Sequence, residues 1–475
     1  MRARNKERII KGICERVLKK VTPSEKKKEV VLQFSENLTK KLNEEMQRFG
    51  IEADAQVQGS VAKDTWLAKE KDVDIFILLP KTYTKEIFTK VLDVIKALTR
   101  EKWVEAYAEH PYIEAEVEGY KIDFVPCFKI ERAEEAISSV DRTPLHTSYI
   151  KRHLDPKVKN EVRLLKRFMR GIDTYGAEIK VGGFSGYICE LLILYYSSFR
   201  KVLEAASNWN SKQFIDLEGY YEEEASLKLG FVEPLVIVDP VDKERNAASA
   251  VRQDPLSVFI AASRTFLEAP SKKFFFPPKT KPLTSRELVE SLRKRGTNFI
   301  FVKFGRVDAV PDILWGQLYK SQKSLQKLVS HHGFNIVRDA VWSDKRSLNF
   351  FLIELERRDL PNLKKHLGPP LNKKEDCRIF LKKHAGSART LSGPRIEHGR
   401  WVVSTTREYT AAEKLLEMSL KDGGRKVGMA EHISHAIAND LKILVDEEVL
   451  SDYLRNPDFA RFLTDYIRGK PKWLT

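Results

Sequence analysis

Two aspartates one residue apart open the run Asp72-Val73-Asp74-Ile75-Phe76-Ile77-Leu78-Leu79. The run reads as a β-strand, and side chains alternate across a strand. Both carboxylates therefore project from one face, while Val73 and Ile75 project from the other. Two carboxylates on one face repel each other and are costly to bury unless a divalent cation lies between them. Earlier in the chain, Gly59-Ser60 stops a short apolar run at Val57. That turn offers what a polyphosphate needs: backbone N–H groups open to close approach, a hydroxyl, and a helix start just after. Lys63 adds a positive charge. Each feature alone is ordinary, since an Asp-x-Asp pair is usually two solvated charges at a strand end and Gly-Ser is usually just a turn. In this order, ahead of a strongly apolar strand, they form the layout expected of a metal-dependent nucleotidyl transferase.

The same stretch resembles the nucleotidyltransferase superfamily of DNA polymerase β, in which Gly-Ser precedes a carboxylate-x-Asp pair. Within it, Gly59-Ser60-Val61-Ala62-Lys63-Asp64-Thr65-Trp66-Leu67 is most similar to the class I (archaeal-type) CCA-adding enzymes, the tRNA nucleotidyltransferases. The resemblance covers nearly the whole chain. It is strongest at residues 56–80, 120–127, 141–186 and 234–250, and beyond residue 283 it is one of organisation only. It implies attack by an RNA 3′-hydroxyl on the α-phosphate of CTP or ATP, with pyrophosphate leaving and no nucleic-acid template. It also implies two Mg²⁺ ions about 3.5–4 Å apart, one lowering the hydroxyl's pKa and one neutralising charge on the triphosphate. Asp72 and Asp74 are the expected metal ligands, with Gly59, Ser60 and Lys63 at the phosphates. The expected partner is a tRNA lacking all or part of its 3′ CCA, and a homodimer is left open.

Further elements must position this stretch. Thr22-Pro23-Ser24-Glu25 reads as a helix start with a capping hydroxyl at Thr22 and Pro at the first position. Val30, Phe34, Leu38, Leu42 and Met46 give that helix a core-facing stripe. A helix near Lys85–Leu98 follows, then a hairpin of Tyr112–Val117 and Tyr120–Val125 turning at Glu118-Gly119. Asp123 interrupts the second of these strands. A lone Asp in a strand is most often an edge or turn residue, but a two-metal site still lacks a third carboxylate, and the resemblance puts the family's third ligand here. Val158, Val162, Leu165 and Met169 form the buried stripe of the next helix, with Arg163, Lys166, Arg167 and Arg170 over its other faces. The resemblance implies that His146, Lys166 and Tyr175 contact the incoming nucleotide, with Thr143 close by. From residue type alone, Lys166 is a solvated helix charge, Tyr175 a packing residue and His146 an ordinary surface histidine. Gly182-Gly183-Phe184-Ser185-Gly186-Tyr187 suits close backbone packing ahead of an apolar helix, Ile188–Tyr196, and is not a hydrolase nucleophile elbow. Asp239-Pro240-Val241-Asp242 and Arg245-Asn246-Ala247-Ala248 again look like the family. Arg245 is the candidate for a base or phosphate contact, the plainer alternative being a charge near a helix N-cap.

At 475 residues the chain has room for roughly three domains. Its formal net charge of +16 favours a polyanionic partner. No apolar run approaches the ~20 residues needed to cross a bilayer, and the charged N-terminus lacks a signal-peptide core, so a cytoplasmic protein is expected. Cys14, Cys127, Cys189 and Cys377 are scattered and read as free buried thiols.

Ala269–Leu283, rich in Pro and Lys, reads as a linker. Phe299–Phe304, Pro311–Val329, Phe334–Trp342 and Leu348–Leu355 then give a β-α-β-β order, similar to an RNA-recognition module with helices on one face, though without convincing base-stacking aromatics. Asn362–Arg400 holds ten Lys/Arg against three Asp/Glu and reads as a loop gripping RNA phosphates, with Lys373, Lys374, Lys382 and Lys383 as candidates. The expected whole is an α+β multidomain chain. A polymerase β-like nucleotidyltransferase catalytic head covers 1–152 and a mostly helical nucleotide- and tRNA-binding centre 153–270. An RNA-recognition-like tRNA-binding domain with the basic stretch covers 284–410, and a helical C-terminal segment 411–475. Three other readings compete. A poly(A) polymerase would share the signature but use ATP mainly, and a small-molecule nucleotidyltransferase has the charge and the long basic half against it. A non-catalytic RNA-binding protein of this fold has the intact carboxylates against it.

Overall fold

A strand buried along both faces must sit inside a covered sheet, and Ile75–Leu79 are all buried. The computed structural model describes residues 2–99, 103–107, 110–210, 212–221 and 230–474, in two compact units: Met1–Lys279 with Lys470–Thr475, and Thr280–Gly469. In the first unit, β1 (Asp54–Gln58), β2 (Asp72–Leu79), β3 (Trp103–Tyr107), β4 (Pro111–Val117) and β5 (Tyr120–Phe128) form one sheet in the order β1-β2-β5-β4-β3. Within this sheet β2 and β5 pair in parallel, and β1–β2, β3–β4 and β4–β5 pair antiparallel. Val73, Ile75, Ile77 and Leu79 share a core with Ile122 and Phe124 of β5. Two helices complete that core: α2 (Glu25–Arg48) and, after the first helix α1 (Arg2–Val21) and the single turn α3 (Gly59–Ala62), α4 (Ile87–Thr99). Phe76, Leu78 and Cys127 pack on the opposite face. By alternation, Asp72, Asp74 and Asp123 are on that opposite face too.

The start of α2 differs from expectation. Ser24, not Thr22, is the N-cap, its side chain accepting from Lys27 N at 3.3 Å, and Pro23 stands just outside the helix. The buried stripe is Val31, Ser35, Leu38, Leu42 and Met46, with Val30 exposed. A strict interval of four drifts around a 3.6-residue helix, so one step of three is needed to stay on one face.

The rest of the first unit is a second core. It joins α1 to α5 (Thr143–His153), α6 (Lys159–Gly171), α7 (Gly186–Tyr196), α8 (Phe199–Ala206) and α9 (Gln253–Glu268). A small sheet lies against these helices, β6 (Gln213–Asp216), β7 (Leu235–Asp239) and β8 (Asp242–Asn246), in the order β6-β7-β8. Phe168 sits at its centre, against Phe199, Phe259, Phe266, Phe274 and Phe275. Trp473 returns to stack on Phe274.

The second unit is built on β9 (Asn298–Phe304), β10 (Ile336–Ser343), β11 (Asn349–Leu355) and, later in the chain, Leu441–Val445. Its helices are α10 (Ser285–Arg295), α11 (Pro311–His331), α12 (Lys374–His384), α13 (Ala412–Leu420), α14 (Glu431–Asn439), α15 (Leu450–Arg455) and α16 (Pro457–Arg468). The β-α-β-β order is present, but helices cover both faces of the sheet rather than one. Ile300, Val302 and Phe304 face α11, α13 and α14, whereas Phe299 and Phe301 face α10, α15 and α16. The physical reason lies in the strands: Asn349–Leu355 is buried at every position, which one covered face cannot satisfy. No open aromatic face is left on this sheet for bases.

Two further readings are corrected. The basic stretch is not a loop. It folds as β12 (Leu363–Pro370), α12, β13 (Thr390–Glu397) and β14 (Arg400–Thr406), with sheet order β12-β14-β13. Its charges stay on the outside, while Cys377, Phe380, Val402 and Val403 are buried. The C-terminal stretch is not all helical either, because Leu441–Val445, β15, pairs with β9 and completes the main sheet in the order β10-β11-β9-β15. Among the described residues no helix is long and apolar enough to cross a membrane, and all four cysteines are free.

Candidate active site

The parallel pairing of β2 with β5 sets Asp74 directly opposite Asp123, and Asp72 opposite Lys121. Burial pushes the Asp74 carboxyl up to about 6, with Asp72 adding repulsion and Lys63 opposing it. Asp123 is likewise pushed up to about 6 by burial and by Asp74, against the pull of Lys121. Asp123 Oδ1 is buried without a hydrogen-bond partner, 3.8 Å from Lys121 Nζ. Two neighbouring carboxylates held well above their ordinary range, one with an orphaned oxygen, fit a hard divalent cation. Among the described residues no group of three or more His, Cys, Asp or Glu side chains is arranged to hold a metal unaided.

The turn before β2 is fitted against these carboxylates. Gly59 has φ +66°, and a Cβ there would lie 1.9 Å from Asp74 Oδ2. Only a residue without a side chain lets the turn approach so closely. Helix α6 then clamps the segment that follows. Arg163, only 2% exposed, donates to the backbone oxygens of Asp64 and Trp66 and to the Asp64 carboxylate. Lys166, only 1% exposed, donates to Thr65 Oγ1 at 3.0 Å and to Glu190 Oε1 at 3.2 Å. Lys63 Nζ donates to Glu190 Oε2 at 2.5 Å, and Thr65 Oγ1 to Glu190 Oε1 at 2.5 Å.

Lys166 is thus no solvated helix charge. Burial would depress its ammonium, but Glu190 outweighs that and holds it up to about 12. Conversely, burial would raise Glu190, and Lys63 and Lys166 hold it below the usual carboxylate range. Glu190 has no counterpart among the sequence-derived candidates. Its signal was available: a single carboxylate inside the apolar helix GYICELLILYY.

These groups open onto one cavity of about 500 Å³, which takes in Gly59, Ser60, Lys63, Asp74, Thr143, His146, Lys166, Tyr175 and Arg245. Asp72 and Asp123 are outside its lining. Thr147, one turn after Thr143 on α5, also lines it, and its buried hydroxyl has no hydrogen-bond partner. Gly186 opens α7 where a Cβ would meet Tyr175 Oη at 3.1 Å and Lys166 Nζ at 3.3 Å, so the Gly-rich run does provide close packing. Burial raises the Tyr175 hydroxyl to about 12.

At the cavity's other end Asp239, fully buried at the end of β7, gathers His146, Tyr187 and Arg245. Arg245 is on strand β8, not at a helix N-cap. The second aspartate of the Asp239–Asp242 turn pairs with Arg142, with Arg142 Nε 2.8 Å from Asp242 Oδ2. The turn therefore grips α5 at two points one helical turn apart, Arg142 and His146.

In the second unit, Lys373, Lys374, Lys382 and Lys383 are exposed at the two ends of α12. Lys383 also lines a basic cavity of about 320 Å³ with Lys364, His366, Arg389 and Arg407.

Comparison with known proteins follows the same division. Residues 39–146 match the nucleotidyltransferase domain family, 160–276 the second domain of tRNA nucleotidyltransferase, and 295–446 the C-terminal domain of the CCA-adding enzyme. The CCA-adding enzyme of Methanosarcina acetivorans is 34% identical over 456 residues, 95% of this chain and 97% of its own. That of Methanothermobacter thermautotrophicus is 37% identical over 456 residues, with the same coverage. A solved structure of a cytoplasmic RNA terminal U-transferase superposes on 56% of this chain and 95% of its own, at 18% identity and TM-score 0.43.

Proposed function

The chain belongs to the family of CCA-adding enzymes, and from that membership we infer that it adds C, C and A to the 3′ end of tRNA without a nucleic-acid template. It uses CTP and ATP and releases pyrophosphate. The observation that carries the site assignment is Asp74 beside Asp123 on neighbouring parallel strands, with bare Gly59 turned against Asp74.

Asp72, Asp74 and Asp123 are the residues that would hold two Mg²⁺ ions. Bound there, the metal supplies a lowered hydroxyl pKa and charge neutralisation on the triphosphate. The protein does the rest by positioning. Ser60 and the N–H groups at Gly59–Ala62 receive phosphate oxygens, and Lys63 and Lys166 set two ammonium charges beside them, both kept in place by Glu190. The tRNA 3′-oxygen bonds to the α-phosphorus as the bond from that phosphorus to the bridging oxygen of the pyrophosphate breaks. Thr143, His146 and Tyr175 lie along the nucleotide, and Arg245 reads the base.

In this reading head 1–152 and centre 153–270 share one site, and residues 284–410 with the C-terminal segment 411–475 hold the tRNA, with Lys373, Lys374, Lys382 and Lys383 on its phosphates. The setting is the cytoplasm, where tRNA is matured.

The test is direct. A tRNA lacking its 3′ CCA is offered with Mg²⁺ and CTP, ATP or both, and the products are sequenced. Two C residues with CTP alone, and CCA with both, are expected. An open-ended A tail from ATP alone would favour a poly(A) polymerase instead, and no addition under any condition would end the assignment.

A further inference from the structure

Asp74, Glu190 and Asp239 are all joined to the cavity's functional side chains, and Asp239 differs from the other two. Asp74 lines the cavity and Glu190 neutralises two lysines, but Asp239 is shut off from any ligand. It is 0% exposed, and both of its oxygens are fully engaged. Oδ1 accepts from Tyr187 Oη at 3.1 Å and from Val241 N at 3.1 Å. Oδ2 accepts from His146 Nε2 at 2.9 Å and from Arg245 Nη1 at 2.5 Å. A carboxylate offers about four acceptor positions, and all are taken. Three of its four partners, His146, Tyr187 and Arg245, line the nucleotide cavity themselves.

We propose that Asp239 is the positioning residue for base selection: it fixes one edge of the Arg245 guanidinium so that the remaining donors meet the nucleotide base at a set angle. The inference rests on the functional reading above, which makes Arg245 the base reader.

Two physical points support it. An arginine side chain has large rotamer freedom, and a donor that wanders discriminates poorly between acceptor patterns. Tied through Nη1 to a buried carboxylate, Arg245 keeps its fork but loses that freedom. The pair is also neutral as seen from the cavity, unlike Lys63 and Lys166. It contributes little attraction for the triphosphate common to all nucleotides and selects by hydrogen-bond pattern. Fixed donors suit cytosine, which presents acceptors at O2 and N3, and adenine, which presents N1. They meet a donor at N3 of uracil and N1 of guanine, and neither can accept. The stacking of Tyr187 on His146, centroids 4.3 Å apart, holds the second side of the same hub.

The experiment uses the full-length protein and tRNA substrates ending before the first C, after C and after CC. Initial rates are measured with each of the four nucleotides for wild type, D239N, R245A and the double variant. Asn fills the same space as Asp, so D239N tests the charge and the second acceptor rather than bulk. We expect D239N to shift the efficiency of CTP relative to UTP, and of ATP relative to GTP, by on the order of ten- to a hundred-fold, mostly through KM. R245A should shift them similarly, and the double variant no further than R245A alone, because Asp239 acts through Arg245. A D239N protein that loses efficiency equally for all four nucleotides, or whose loss adds in full to that of R245A, would overturn the inference and make Asp239 a structural residue. Should D239N not accumulate as folded protein, R245K decides. It keeps the pairing charge but not the fork, so selectivity must fall while the KM for the preferred nucleotide changes less than for R245A, and unchanged selectivity would refute the proposal. A wild-type protein that adds no CCA removes the functional reading. A wild type that does, with D239N keeping its CTP:UTP ratio, removes this inference alone.

Discussion

Asp74→Asn should abolish nucleotide addition and yet make the metal-free protein more stable at neutral pH. In the unfolded chain this carboxyl titrates near 3.9, whereas burial holds it at about 6 in the folded chain. Between those values the folded state binds more protons than the unfolded one. Stability therefore falls as pH rises from 4 to 6, and the full penalty is present above 6. A pKa difference of about 2 is worth at most about 3 kcal/mol. Asp74 opens on the cavity, where water screens its charge, which leaves about 1–2 kcal/mol. Asn carries no charge, so it removes the penalty at pH 7.5 and changes little at pH 4. Thermal unfolding in EDTA at the two pH values is the assay. At pH 7.5 the variant should melt roughly 2–8 °C above wild type, with the two nearly coincident at pH 4. Mg²⁺ at pH 7.5 should then raise the wild-type Tm more than the variant's. A variant melting at or below wild type at pH 7.5 in EDTA, or a difference independent of pH, would refute the reasoning.

Other outcomes follow from the same geometry. Gly59→Ala puts a methyl group 1.9 Å from Asp74 Oδ2 at a backbone φ of +66°. Displacing that carboxylate should lower the rate on saturating tRNA by about 100-fold or more, with tRNA affinity by filter binding little changed. Glu190→Ala strands Lys63 and Lys166 without their shared counter-ion and should cost about 3–5 kcal/mol in urea unfolding. Glu190→Gln, which keeps the size, should instead raise KM for CTP and ATP by similar factors, and unequal factors would tie Glu190 to the base. Replacing Lys373, Lys374, Lys382 and Lys383 together by Ala should flatten the slope of log tRNA affinity against log salt by about four or somewhat less, whereas an unaltered slope would make them plain solvated charges.

The placement of the three head carboxylates was legible because its signal is local. Strand alternation alone puts Asp72 and Asp74 on one face, and the hairpin 112–125 fixes where Asp123 falls. Lys166 was illegible from residue type, since a lysine on an amphipathic helix is ordinarily solvated. What buries it is Glu190, which lies on another helix and is joined to it only by tertiary packing. Asp239 is similar, a carboxylate whose meaning depends on α5 arriving beside it. In the second unit the failure was different in kind. The sequences NFIFVKF and NFFLIEL already lack the polar alternation of a half-exposed strand, whereas the β-α-β-β order specifies topology and not which faces are covered. The basic stretch reads as a loop because like charges folded against each other would repel. In the structure they point outward, around a small core at Phe380, Val402 and Val403.

The burial of β11 at every position also makes it an internal clock for the molecule. Its backbone amides are paired to β10 on one side and β9 on the other, so no edge of it frays into water. Deuterium can enter there only when the second unit opens as a whole, and the slowest amides of β11 measure that event. β2, flanked by β1 and β5, plays the same part in the first unit. Protection lost in β2 with β11 untouched, or the reverse, reveals which half of the chain a given substitution has loosened.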